Sequence, residues 1–307
     1  MKQTLKAINQ SVLFFDLFLL LLIFILSLCL ANYLGLTVNT PGFILGWFSA
    51  AFILLSLKIM DFYTLPESQL DDDHRYILRI FPGINPSSKT GYQVNPQYRG
   101  LTLLLIMLGG WAVLQFVMLQ MKILPMRALW LLGLMILITL IAGLPSLNFI
   151  RNGYRELIQV LLLFGIFPAY AFLVLNGNFH ILIFLLSFPM SFFYLSWRIV
   201  HALFHYSDDQ QSGKRNLLQR LGWKRGMVAH NMFILLGFVL YTCIPIAGYP
   251  SKLFLSALLA FPLGLLLIFM MFRIERGKKP EWQSVMALEK ISILFMVYFI
   301  AAAMILR

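Results

Sequence analysis

A chain of 307 residues with 60% hydrophobic content and a mean hydropathy of +0.83 is not a soluble domain, whose apolar share runs about 45–50%. The net charge of +12 has no basic soluble module to carry it, which argues against a nucleic-acid footprint. Cys29 and Cys243 both fall in apolar segments and read as ordinary buried thiols, not as a disulfide framework or a metal cluster.

A helix that crosses a hydrocarbon core of about 30 Å needs roughly 20 apolar residues. Segments of that kind run at 12–35, 42–63, 100–121, 128–148, 156–175, 179–202, 228–247, 253–272 and 287–306. Backbone polar groups in hydrocarbon must be paired within the segment, so each is predicted to be a helix. The expectation is an all-α membrane protein of about nine transmembrane helices, one domain over 1–307. The fifth and sixth are joined only by Asn176-Gly177-Asn178. The first segment is too long for a cleaved signal peptide and reads as a retained anchor.

With the N-terminus inside, all Lys and Arg residues except Lys122, Arg127, Lys252 and Arg307 fall on the inner side. That asymmetry predicts a cytosolic N-terminus and an outer C-terminus. The net charge is then topogenic, with attraction to anionic lipid. Pro168, Pro189, Pro245 and Pro262 fall inside predicted spans and are expected to kink them, around a cavity or simply in packing.

Two inner loops are long. The first, 61–99, carries Asp61, Glu67, Asp71, Asp72, Asp73, His74, Arg75 and Arg79, then the turn signals Pro82-Gly83, Asn85-Pro86 and Lys89-Thr90-Gly91. The second, 203–226, carries His205, Asp208, Asp209, Lys214, Arg215 and Arg220. These two loops are expected to cap an active site. A third, 273–289, holds Gly277-Lys278-Lys279-Pro280 and reads as a solvated topogenic loop.

His201, His205 and Asp209 are four apart and share a face if the sixth helix runs past the membrane surface. Carboxylates there suit Mg²⁺, which takes one or two of them plus phosphate oxygens and water. Paired imidazoles suit Zn²⁺ better. A zinc protease is disfavoured, because His201-Ala202-Leu203-Phe204-His205 lacks the glutamate of H-E-x-x-H. The bland alternative is a helix end where His and Asp meet water. Lys214, Arg215 and Arg220 would stabilise a bound diphosphate and its departure, or serve only topology. Gly213 would let the backbone turn there, and Gly213-Lys214 is not a Walker loop. Asp16 is the acid placed well inside a span, either functional or reaching the interface. Glu156 is expected to pair locally with Arg151 or Arg155.

The run Gly213-Lys214-Arg215-Asn216-Leu217, followed by Arg220-Leu221-Gly222, resembles the segment after the second Asp-rich motif of the UbiA superfamily of intramembrane prenyltransferases. The stretch Asn152-Gly153-Tyr154-Arg155-Glu156-Leu157 is similar to the RG-x-GE stretch of its 1,4-dihydroxy-2-naphthoate branch. Nine helices with active loops after the second and sixth also match.

The resemblance implies a Mg²⁺-dependent transferase. It would move a polyprenyl chain from a polyprenyl diphosphate to an aromatic acceptor, in menaquinone-type quinone biosynthesis at a bacterial cytoplasmic membrane. It also implies metal binding by Asp61, Asp71, Asp72, Asp73, Asp208, Asp209 and His205. Substrate binding would fall to Asp61, Arg155, Glu156, Lys214, Arg215 and Arg220, with Lys214 and Arg215 stabilising the leaving group. The match has departures. In the second motif Asp209 aligns with the second Asp and His205 stands at the first. In the first motif only Asp61 remains, with Met60 and Thr64 in place of Asn and Asp. An inactive isoprenoid-binding relative is the alternative; a transporter is a third reading, with few intramembrane charges to support it.

Overall fold

The computed structural model describes residues 12–64, 96–143 and 153–306, and their side chains except those of 61–64, 96–100 and 143. Every regular element among them is helical, as the composition predicts. The first four are α1 (Val12–Tyr33), α2 (Thr40–Thr64), α3 (Pro96–Gln120) and α4 (Met126–Gly143). One continuous span follows, made of α5 (Arg155–Val160), a π-helical segment (Leu161–Ile166) and α6 (Phe167–Asn176). The next span is α7 (Ile181–Ser187) and α8 (Met190–Phe204). Two short helices, α9 (Tyr206–Gln211) and α10 (Leu217–Leu221), lead to α11 (Trp223–Ile246). The chain ends with α12 (Ser251–Leu255), a 3₁₀ turn, α13 (Phe261–Glu275) and α14 (Trp282–Ile305). Eight spans among the described residues are long and apolar enough to cross a membrane, and α4 is a shorter apolar helix beside them. The chain is a multi-pass membrane protein.

Local chemistry sets the breaks. Asn39 starts α2 by accepting from Gly42 N–H at 3.1 Å, the usual role of an N-cap amide. Gly177 ends α6 in the left-handed conformation (φ 78°), so Asn176-Gly177-Asn178 does suffice as a connection. Pro168 cannot donate to Phe164 C=O. Ser187 of the neighbouring helix donates to that carbonyl instead, at 3.0 Å. Just before it, Phe167 N–H reaches back five residues to Leu162 C=O, the π pattern. Pro189 separates α7 from α8, and Pro262 opens α13 after the 3₁₀ turn. Pro245 lies in the last turn of α11.

Lipid tails are as apolar as Leu, so close packing and hydrogen bonds, not burial from water, must hold such helices together. α1 lies against α2, α6 and α14, while α8 lies against α11 and α14. At the α8–α11 contact Phe193 sits where a Cβ on Gly237 would come within 2.2 Å, so only glycine permits the approach. Ser49, Gln115 and Tyr170 tie α2, α3 and α6 through a shared hydroxyl.

Two polar groups lie deeper than the sequence suggests. α14 begins at Trp282, which places Glu289 two turns inside the helix, fully buried, instead of at the end of the third loop. Glu289 Oε1 is 2.5 Å from His230 Nε2, and its Oε2 accepts from Ser196 Oγ at 3.1 Å. His230 Nδ1 meets Asn231 Oδ1 at 2.9 Å. Asp16 is also fully buried and accepts from Tyr194 Oη at 2.8 Å. The thiols run against expectation: Cys29 is half-buried and Cys243 is exposed.

Candidate functional site

The second long loop folds back on the end of α8. His205 takes a non-helical conformation (φ −97°, ψ 11°) that bends the chain between α8 and α9. Asp209 N–H still bonds His205 C=O at 2.9 Å, so the i−4 spacing survives the bend. The His201 and His205 rings accordingly lie 4.9 Å apart. Asp208 is exposed, its Oδ1 accepting from Ser207 Oγ at 3.3 Å, whereas Asp209 turns inward and is buried.

The turn after α9 fixes that carboxylate. Gly213 adopts φ 69°, a conformation costly for other residues, and Lys214 N–H then closes on Asp209 C=O at 2.9 Å. Lys214 Nζ lies 3.9 Å from Asp209 Oδ1. Asn216 does two jobs. Its Oδ1 caps α10 by accepting from Gln219 N–H at 2.8 Å, and its Nδ2 donates to Asp209 Oδ2 at 2.7 Å. Burial pushes the Asp209 carboxyl up to about 7, and the negative charges of Glu156 and Asp208 push the same way. The Asn216 hydrogen bond and Arg198 work against that rise.

The start of α5 supplies the other wall. Gly153 has φ 82°, and a Cβ there would come within 3.0 Å of the backbone at Arg215 and Asn216. The second loop therefore rests directly on this glycine. Arg220 stacks on the neighbouring Tyr154 ring, 4.1 Å from its centroid, and donates to its hydroxyl at 2.8 Å. Arg155 is buried and Arg215 is exposed. Glu156 Oε1 lies 3.6 Å from Arg198 Nη2 on α8, a pair across helices that the sequence does not suggest. Gln159, one turn deeper, is fully buried. Both of its amide atoms, and Glu156 Oε2, have no hydrogen-bond partner.

Glu156, Arg198, Asp209, Lys214 and Asn216 thus surround one end of α8. His205, Asp208 and Asp209 do not converge: no three metal-ligating side chains come together among the described residues. Asp71, Asp72, Asp73 and the Asp61 side chain lie outside the described residues, as do Arg151 and Asn152. Sequence reading did not single out Asn216, Arg198, Tyr154 or Gln159. An Asn just before Leu217-Leu218-Gln219 is a helix-start signal and would have found the first. Arg198 stands in the sequence only as one more inner-side charge.

No family sequence model and no curated protein matches the chain. Solved structures do. A digeranylgeranylglyceryl phosphate synthase structure aligns over 100% of both chains, with a TM-score of 0.61 and 15% identity. The apo structure of a UbiA homologue from Aeropyrum pernix K1 covers 94% of this chain and 97% of its own, with a TM-score of 0.61 and 14% identity. A UbiA homologue from Archaeoglobus fulgidus, bound to GPP and Mg²⁺, covers 96% of this chain and 99% of its own, with a TM-score of 0.59 and 15% identity. The fold is that of the UbiA homologues over essentially its whole length.

Proposed function

We propose that this chain is an intramembrane prenyltransferase of the UbiA type. It would transfer a polyprenyl chain from a polyprenyl diphosphate to a hydrophobic aromatic acceptor, in menaquinone-type quinone biosynthesis at a bacterial cytoplasmic membrane. The observation that carries this reading is Asp209. A carboxylate is held inward at the end of α8 between Asn216 and Lys214, in a fold shared with a homologue whose structure holds GPP and Mg²⁺.

Asp209 and nearby Glu156 are all-oxygen donors, the kind a hard cation takes, and suit half of a Mg²⁺ site. Asp61 and one or more of Asp71, Asp72 and Asp73 are proposed as the other half. Bound Mg²⁺ would supply Lewis-acid stabilisation of negative charge on the diphosphate oxygens. Lys214, beside Asp209, would bind a diphosphate oxygen and stabilise its charge as the C–O bond breaks. Arg215 is exposed on the same turn and would meet the diphosphate from the water side. Arg220 would act at one remove, by fastening the second loop to Tyr154. The prenyl tail would run into the apolar helices.

A specific observation favours a second reading, an isoprenoid-binding relative without turnover. The three candidate ligands of the second motif do not converge among the described residues. Turnover separates the two. Purified protein, a labelled polyprenyl diphosphate and a panel of aromatic acceptors are incubated with Mg²⁺ or with EDTA. Prenylated product that vanishes with EDTA is the expected result. Tight diphosphate binding without product on any acceptor would establish the second reading.

A further inference from the structure

Two arginines reach the same carboxylates from different helices. Arg155 opens α5 and Arg198 lies near the end of α8. Arg155 is 7% exposed and the Arg198 side chain 10%. Arg198 pairs with Glu156, the residue after Arg155, and is close enough to Asp209 to act on its charge. Both arginines are felt electrostatically at the Tyr194 hydroxyl, one turn before Arg198 on α8. Arginine does not shed its proton, and a buried charge is costly unless it is paired and hydrogen-bonded. The sequence has moved charge in the same direction. Met60, Thr64 and His205 stand where the resembled motifs carry Asn or Asp, so oxygen ligands for a metal are fewer. Arg155 takes the place of the second glycine in RG-x-GE, whose own arginine is Asn152 here. A guanidinium has thereby moved onto the first turn of α5, beside Glu156.

The balance of groups selects a ligand. Among the described residues, the buried or half-buried cations Arg155, Arg198 and Lys214 stand against the carboxylates of Glu156 and Asp209. The exposed groups nearby are Asp208, Arg215 and Arg220, which do not reverse the sign. Each guanidinium is a fork of N–H donors with no acceptor, Lys214 is donor-only, and Gln159 adds an amide NH₂. The acceptor Gln159 Oε1 is one turn from Arg155, and Glu156 Oε2 belongs to the carboxylate that faces Arg198, so both have protein donors at hand. What remains in surplus is cationic donors. An anion rich in oxygens meets them, and a planar guanidinium takes two phosphate oxygens at once. We infer that Arg155 and Arg198 form a fixed cationic clamp that holds the diphosphate without a metal ion, leaving Mg²⁺ to serve its departure and not its docking. This rests on the transferase reading, and it names the side chains that take over binding where metal ligands are missing. Glu156 keeps its place beside Mg²⁺, since an anion that takes up Arg198 frees that carboxylate for the metal.

The test is binding, by equilibrium dialysis of the full chain in detergent with Mg²⁺ or with EDTA. The probes are inorganic pyrophosphate and geranyl diphosphate. The wild type is expected to keep both in EDTA, geranyl diphosphate the tighter, with less than about 10-fold lost relative to Mg²⁺. Arg155→Gln and Arg198→Gln should each weaken metal-free binding by about 10–100-fold, the worth of hydrogen bonds to a charged group. Arg198→Lys keeps the charge beside Glu156 but loses the fork, so it should fall in between; it also stands in if the Gln variant does not fold. Loss of wild-type binding in EDTA overturns the inference, because the carboxylates of Asp61, Asp71, Asp72 and Asp73 would then neutralise the clamp. Full metal-free affinity in both Gln variants overturns it too, since the anion would then sit on Lys214 and the exposed arginines. Pyrophosphate held in EDTA with geranyl diphosphate bound no tighter would end the transferase reading while the clamp survives.

Discussion

Two polar clusters grip α8 from different sides, and they are finished to different degrees. Toward α11 and α14, Ser196 and His230 occupy both oxygens of Glu289, and every one of these groups is fully buried. Toward α5 and the second loop, Glu156, Gln159, Arg198, Asp209 and Lys214 are buried or nearly so, yet Glu156 and Gln159 keep open hydrogen-bonding positions. A closed network fixes the helix; an open one is available to something else. Residues 196 and 198 are two apart on one helix, so the closed side holds the open side in place.

That contrast can be broken at either end. The largest effect is expected from Asp209→Ala, which should lower Mg²⁺-dependent transfer by about 10²–10³-fold or more, the scale of losing a charge-stabilising group. Thermal melting in detergent should hardly change. Full turnover in that variant would remove Asp209 from the site. Glu289→Ala should do the reverse. It strands His230 and Ser196 in the interior, at a cost of about 1–3 kcal/mol in unfolding measurements. Geranyl diphosphate affinity at low temperature should stay near wild type. Equal losses of stability in both variants would erase the distinction.

Smaller effects sharpen it. The Asp209 carboxyl, raised to about 7, stays protonated in the folded protein at a pH where the unfolded chain, with an ordinary value near 4, has lost the proton. The folded state binds more protons over that window, so this group's contribution falls as pH rises from about 4 to about 7. Melting temperatures of wild type relative to Asp209→Asn should therefore decline across that range and level off above it. A flat difference would mean the carboxylate is not buried as described. Smallest is Arg220→Ala. It removes an exposed cation–π and hydrogen-bonded contact worth about 0.5–1 kcal/mol. A rise of a few-fold in KM for the diphosphate with kcat unchanged is expected, and a kcat effect of the same size would place Arg220 on the diphosphate itself.

The helices were legible because hydrocarbon leaves a backbone few options, and length with apolarity then suffices. The turn at 213–216 was legible in part, through Gly213 and the lysine that follows. What escaped reading was whatever depends on two helices meeting. Glu289 reads as a loop residue because α14 starts earlier than its apolar run, and nothing in the sequence joins it to His230 across 59 positions. The pairing of Glu156 with Arg198 is hidden for the same reason. Asn216 was within reach, since a capping amide is a local signal.

The π segment Leu161–Ile166 has a consequence for how this protein tolerates change in length. A π turn holds about one residue more than the α pattern needs, and each residue turns a helix by about 100°. One π turn covers with the spare residue the angle that an α turn covers without it, so the extra residue is absorbed locally. Deleting a single residue between 161 and 166 should therefore let the span relax to α geometry with Arg155–Val160 and Phe167–Asn176 both still seated and Glu156 still facing Arg198. The same deletion inside α13 or α14, which are α-helical throughout, would rotate one flank against the other by about 100° and disturb its packing. Loss of one residue should thus be tolerated at this place better than elsewhere in the spans, and gain of one could be taken up there without moving the contacts around Asp209.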